Sequence, residues 1–188
     1  DTVFMGRPQL QWLKQGLAAS RAVWKVIAAD MPLGLIVPDQ VSPGDLRCEG
    51  IANTSGPPLG RELELAELLS FIKAQAIENC VWLTADVHYT AAHYYDPTLA
   101  RFNDFSPFWE FVSGPLNAGS FGPNQPDDTF GLQVVYQKVS PVMNASPLAG
   151  YQFFGEVDIE AATRNLTVTL RDVADNALWS KTLEPKRT

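Results

Sequence analysis

A carboxylate and an imidazole two positions apart are the residues here with the clearest capacity for chemistry. In the stretch VWLTADVHYTAAHYY, residues 81–95, Asp86 and His88 flank Val87, and both histidines of the chain, His88 and His93, fall in this window. In an extended segment, residues i and i+2 point the same way, so both side chains can reach one point beyond a strand end. A carboxylate oxygen with an imidazole nitrogen suits zinc, manganese or iron, and the carboxylate also serves calcium. The competing reading makes Asp86 the cap of a helix starting near Val87, with His88 packed or facing water. His93 lies five positions after His88, about 140° round a helix. In a helical segment the two would not converge, which gives His93 a structural role or the support of a ligand.

Other candidates are weaker. Asp30 directly follows the apolar run AVWKVIAA, as Asp86 follows CVWLTA, and is either a site residue or a turn cap. Asp39 follows LGLIVP, and Gly44-Asp45 in SPGDL reads as a turn. The stretch GPLNAGSFGPNQPDDTFG holds four glycines but lacks a GK[ST] ending, and its prolines remove N–H donors that a phosphate cradle needs. It reads as a shaped surface loop in which Asn117 is placed to touch a ligand. Cations for an anionic substrate are Arg61, Lys25 and Arg101, with solvated surface charge as the default. Arg61 opens a long helix, near N–H groups that attract anions. No Ser-His-Asp order or G-x-S-x-G elbow is present, and neither cysteine has a histidine nearby in sequence, so nucleophilic catalysis by a side chain finds no support.

The elements that must position these residues follow from periodicity. Pro8 suits a first helical turn, and Leu10, Leu13 and Leu17 follow at helical spacing, which predicts a helix over about Pro8 to Ser20. AVWKVIAAD predicts a buried strand, and residues 34–60, rich in proline and glycine, a long irregular connection of the kind that is uncommon unless functional. RELELAELLSFIKAQAIEN places Leu65, Leu68, Leu69, Ile72 and Ala76 on one face, with acids at its start, and CVWLTA predicts a second buried strand. Strands apolar on both faces imply a sheet covered by helices, hence α/β. FGEVDIEA, NLTVTLRDV and ALWSKTL alternate instead, as in an antiparallel meander.

Composition sets the outer bounds. At 188 residues and 46% hydrophobic, the chain is one domain or one large piece of one. A net charge of −7 argues against nucleic-acid recognition and requires bound cations if the substrate is anionic. No apolar run approaches the roughly 18 residues of a membrane span, and the N-terminus has neither the basic start nor the apolar core of a signal peptide. Cys48 and Cys80 are too few for a disulfide framework and are expected to be free thiols.

The runs LLSFIKAQAIENCVWLTADVHYTAAHYYDP, FSPFWEFVSGPLNAGSFGPNQPDDTFG, GYQFFGEVDIE and TVTLRDVADNALWSKTLEP, with GRPQLQWLKQGLAASRAVWKVIAADMP upstream, closely resemble the C-terminal half of the alkaline phosphatase D family of PhoD-like metallophosphatases. The resemblance implies the C-terminal part of a calcineurin-like α/β/β/α sandwich, with an α/β part and its ligand loop over residues 1–139 and a β-meander over 140–188. It implies hydrolysis of small phosphate mono- or diesters at a metal cluster, iron with calcium, or else zinc or manganese. Asp86 and His88 match the family's GDxH-type pair as metal ligands and catalytic residues, with Ala85 where the family usually has Gly. Asp30 is carried over as a site residue. The family's early Asp, Asn and Tyr or Cys ligands belong to an N-terminal half this chain does not contain. A fragment inactive alone, from a secreted or periplasmic enzyme, is therefore expected. The competing expectation from another class is a non-catalytic α/β module that binds a partner or cell-surface polymer. A third reading, a metal-dependent hydrolase of lactones or amides, shares the site chemistry. Oligomeric state is not legible in the sequence.

Overall fold

Leucines at helical spacing build the first helix, α1 (Gly6–Ala19), in a computed structural model that describes residues 3–39 and 47–186. Leu10, Lys14 and Leu17 are its buried positions. The helix has no side-chain cap of its own. Glu64 supplies the missing acceptor: its carboxylate takes the N–H groups of Phe4, Met5 and Gly6 at 2.6 to 3.1 Å. An anion belongs there, because the first N–H groups of a helix have no intrahelical partner.

Strand β1 (Lys25–Ala28) follows, then the two-residue strands β2 (Leu35–Ile36), β3 (Pro38–Asp39) and β4 (Arg47–Cys48). The connection predicted as irregular is therefore loop stitched by short pairings, and Asp39 sits in β3 opposite Arg47. The Gly44-Asp45 turn lies outside the described residues. Helix α2 (Glu62–Ala74) and strand β5 (Cys80–Thr84) come next; β5 lies close to its predicted bounds, while α2 stops at Ala74, so that Ala76, expected on its apolar face, lies beyond it with φ +48. The remaining strands are β6 (Thr90–Tyr95), β7 (Phe108–Val112), β8 (Gln125–Pro126), β9 (Leu132–Lys138), β10 (Phe153–Ile159), β11 (Leu166–Asp172) and β12 (Ala177–Leu183).

The main sheet runs β1-β5-β7-β6-β9, with β1, β5 and β7 parallel and β6 antiparallel to both of its neighbours. On one face Leu10, Leu17, Leu65, Leu68 and Ile72 of the helices bury against Ile27, Trp82 and Phe108. On the other, Leu166, Val168 and Leu170 of the β10-β11-β12 meander pack on Val81, Ala92 and Phe111. The mixed α/β architecture with its terminal antiparallel meander is the one expected, and helix, sheet and sheet form three stacked layers. The meander's outer face is polar: Thr167 meets Thr182, Thr169 meets Ser180, and Arg171 pairs with Glu156 at 2.7 Å. The alternation of β11 is thus read as predicted, with one face buried and one wet.

Two further readings fail: β1, read as a buried strand, is an edge strand with Val26 and Ala28 exposed, and the helix that the cap reading of Asp86 needed is absent. No helix begins near Val87, because the segment turns and enters the sheet as β6, whose residues are buried on both faces. His93 is fully buried, with Nδ1 2.8 Å from Glu110 Oε2. Glu110 also accepts from the Tyr95 hydroxyl at 2.7 Å and from the Leu33 N–H at 2.8 Å. A buried carboxylate is tolerable only with partners such as these. They also tie the loop after β1 onto the sheet, where Gly34 lies so close to Tyr95 and Leu132 that a Cβ would sit 2.8 to 3.0 Å from their side chains.

A second buried acid joins α2 to the same region. Glu62 accepts from the N–H groups of Asn53 and Leu59 at 2.7 and 2.9 Å. Burial, seconded by the neighbouring Asp127, pushes its carboxyl from 4.5 up to about 7 against the pull of those two N–H groups. A raised acid keeps its proton in the folded state where the unfolded chain has lost it. Stability from this group therefore falls as pH rises from about 4.5 to about 7, and Glu62→Gln is expected to flatten that decline in urea unfolding series across the window. Glu110→Ala leaves three buried donors without an acceptor and is expected to cost about 3 to 5 kcal/mol in the same assay.

Candidate functional site

Parallel strands deliver their C-terminal ends to one edge, and the register of β1 on β5 is Ala28 opposite Leu83. The pairing continues past both strands: Ala29 N–H donates to Leu83 carbonyl at 3.0 Å, and Ala85 N–H to Asp30 carbonyl at 2.9 Å. Asp30 and Asp86 are therefore set side by side where the two strands end, the place where open α/β sheets bind ligands. Both are exposed. Asp86 does not continue the strand. Its φ is +60, a left-handed conformation in which Asp is among the few tolerated residues, and Val87 N–H donates back to Ala85 carbonyl at 2.7 Å. The cap reading of Asp86 falls with the absent helix, and the extended i, i+2 geometry is replaced by a tight turn.

His88 is half-buried and held on two sides. Its Nδ1 is hydrogen-bonded to the Gly119 carbonyl, and its ring stacks on Phe121 with centroids 4.2 Å apart. The bond to a carbonyl makes Nδ1 the protonated nitrogen of the neutral ring and leaves the Nε2 lone pair available, the tautomer a metal-binding histidine needs. Gly119 has a steric reason to be glycine, since a Cβ there would lie 1.9 Å from Asn144 Oδ1. The loop carrying Gly119 is clamped by Gln152, which accepts from Ala118 N–H at 3.3 Å and donates to Ala118 carbonyl at 2.9 Å, and by mutual backbone bonds of 3.0 Å between Ser120 and Ala145.

Asn117 projects from the same loop, exposed, two residues before the carbonyl that orients His88. Arg61 is engaged elsewhere: its guanidinium donates to the carbonyls of Glu49, at 2.9 Å, and Cys48, and lies over the Phe4 ring. The surface loop thus contributes to the candidate site, while Arg61 acts as a brace for the segment before α2. Arg101 is paired with Asp128 at 2.9 Å. Sequence reasoning missed Gly119, Phe121 and Gln152, whose roles depend on contacts across about thirty residues of chain, and His93 joins Glu110 inside the sheet rather than the site. Both cysteines are free, as expected.

The donors fit a metal ion in kind: an exposed carboxylate, an imidazole with its outer nitrogen free, and a second carboxylate on the next strand. They fit only as part of a site, since among the described residues no group of three or more His, Cys, Asp or Glu could hold an ion. The model of the PhoD-like phosphatase family matches residues 1–170. The chain belongs to that family. The solved structure of PhoD is similar over 93% of this chain at 17% identity, with a TM-score of 0.45, and the chain spans 36% of that protein's length. No curated protein matches the chain. Among the described residues of this PhoD-like chain, no helix is long and apolar enough to cross a membrane.

The left-handed turn makes a separable prediction. Asp86→Gly and Asp86→Ala remove the same carboxylate, but alanine pays for the positive φ. The alanine variant is expected to be less stable than the glycine variant by about 1 kcal/mol in chemical denaturation.

Proposed function

We propose that the chain is the C-terminal portion of a metal-dependent phosphoesterase acting on small phosphate mono- or diesters, with Asp86 and His88 as metal ligands and Asp30 beside them. The observation that carries the reading is the His88 arrangement: an imidazole fixed through Nδ1 on a clamped carbonyl, at the strand edge that holds two exposed carboxylates. A bound cation at these donors supplies charge to a phosphoryl oxygen and acidity to a water. The chain's own residues prepare the place. Asp86 presents its carboxylate from a turn that no helix covers, Gly119 holds the imidazole tautomer, Phe121 keeps the ring from rotating, and Asn117 offers an amide to the substrate at the rim.

Iron with calcium is the proposed metal set, with zinc or manganese able to use the same donors, and the proposed setting is periplasmic or secreted. Among the described residues the donors are too few for a cluster, so this reading takes further ligands from elsewhere in the protein and expects the described site to be inactive by itself.

The test is hydrolysis of a chromogenic phosphodiester by the full gene product with iron and calcium supplied, wild type against Asp86→Asn and His88→Ala. Each variant is expected to lose more than the roughly 10- to 100-fold that follows loss of a supporting partner of a ligand. Wild-type rates in both variants would remove these residues from the metal site. No hydrolysis by a folded wild-type protein, with or without metals, would favour a binding module instead.

A further inference from the structure

At the opposite end of the main sheet from Asp86, the chain forms a polar groove of about 760 Å³. Four of its fourteen lysines and arginines, Arg21, Lys25, Arg164 and Lys186, line it, against one carboxylate, Glu184. In a chain of net charge −7 this is a local inversion of sign. Lys186 is paired with Glu78 at 2.8 Å. Among the described residues, Arg21, Lys25 and Arg164 form no ion pair and no side-chain hydrogen bond. Like charges lining one groove repel one another, and among the described lining residues Glu184 is the single carboxylate set against them.

The walls are built rather than loose. Asn79 pins the C-terminal segment by exchanging bonds with the Lys186 backbone, at 2.8 Å to its N–H and 3.1 Å to its carbonyl, and its own carbonyl receives Lys25 N–H at 2.9 Å. The hairpin between β10 and β11 is closed by Arg164 N–H on Glu160 carbonyl at 2.7 Å, and the Trp24 indole N–H donates to Arg164 carbonyl at 2.7 Å. Arg164 itself has φ +63, the left-handed position of a hairpin turn that glycine or asparagine occupies at less cost. An arginine held in that conformation, with its guanidinium unpaired over a basic groove, needs a reason beyond the turn.

We propose that this groove is a binding site for an oligoanion of the phosphate class, one carrying two or more phosphoryl groups, so that Arg21, Lys25 and Arg164 are engaged together. Arginine is suited to phosphoryl oxygens because its planar fork donates to two at once, with Lys25 as a point charge between. The amides of Asn79 and Asn165 at the groove add neutral polar lining. The site is distinct from the Asp86 edge, being separated from it by the length of β5, about 16 Å for five residues. It is independent of the proposed catalytic function.

Pyrophosphate is the probe, titrated calorimetrically into the full gene product with a chelator present, so that no metal-dependent binding contributes. Wild type and Asp86→Asn are expected to bind equally, and binding should weaken as salt is raised. Arg164→Gly is expected to weaken binding roughly fivefold, and Arg21→Gln with Arg164→Gly more than about tenfold. The glycine relieves the left-handed residue, so this variant is expected to melt no lower than wild type, which separates lost binding from lost folding. Arginine variants that bind pyrophosphate as wild type does would overturn the proposal, as would the absence of any binding at millimolar concentration. Binding abolished by Asp86→Asn alone would assign the anion to the other edge and also overturn it.

Discussion

Parallel pairing of β1, β5 and β7 is the constraint on which the candidate site rests. Three strands running the same way must end at the same edge, and every loop leaving that edge is then a neighbour of the others. The bond from Ala85 N–H to Asp30 carbonyl extends the pairing past the strands, so that two acids more than fifty residues apart in sequence emerge side by side. The loop after β7 leaves from the same edge and brings Gly119 to His88. None of these contacts requires the acids to attract one another, since backbone hydrogen bonds hold them there. A cluster of exposed carboxylates is electrostatically unfavourable until a cation joins it, and only a rigid scaffold can impose it beforehand.

The scaffold is made rigid by charge placed where apolar residues would ordinarily sit. Glu110 in the central strand β7 binds Leu33 from the loop after β1, and both Tyr95 and His93 from β6. Glu62 joins the start of α2 to the segment before it through the N–H groups of Asn53 and Leu59, and Asp127 N–H reaches Gly34 carbonyl at 2.9 Å. These acids therefore fix the loop after β1 to the main sheet and the segment before α2 to its helix through directional bonds, where hydrophobic contact alone would permit sliding. The cost is sensitivity: each such group is stabilising only while all its partners are present.

What sequence periodicity could reveal follows from the same facts. The helices and the meander obey simple rules, one apolar stripe or one apolar face, and α1 and β10 to β12 lie within a residue or two of their predicted limits, while α2 stops five residues short of its own. Strands β6, β7 and β9 do not obey them. Thr90, Ala91, Ala92 and His93 are buried on both sides, and small or polar residues there resemble a helical run more than a strand. Glu110 interrupts the apolar pattern of β7 for a reason visible only in its partners, which are 15 to 77 positions away. Asp86 and His88 were legible as a pair of donor types. Their actual support was not, because the left-handed turn at Asp86 and the Gly119 carbonyl arise from tertiary packing.

The two ends of the main sheet have opposite characters, and this follows from how each is built. At the C-terminal edge, Asp30 and Asp86 stand exposed without cations, while Arg61 and Arg101 are committed to carbonyls and to Asp128. At the N-terminal edge, Arg21, Arg164 and Lys186 stand exposed with half-buried Lys25, and among the described residues of the groove only Lys186 is paired with a carboxylate. Redistributing one arginine from the lower end to the upper would neutralise part of each imbalance, so the separation is not what stability alone would select. Unpaired acids at one edge and unpaired bases at the other are the feature from which both proposals are argued. In the two proposals made above the acids would meet metal ions and the bases phosphoryl groups, and at each end of the sheet backbone bonds, rather than the charges themselves, hold the arrangement in place.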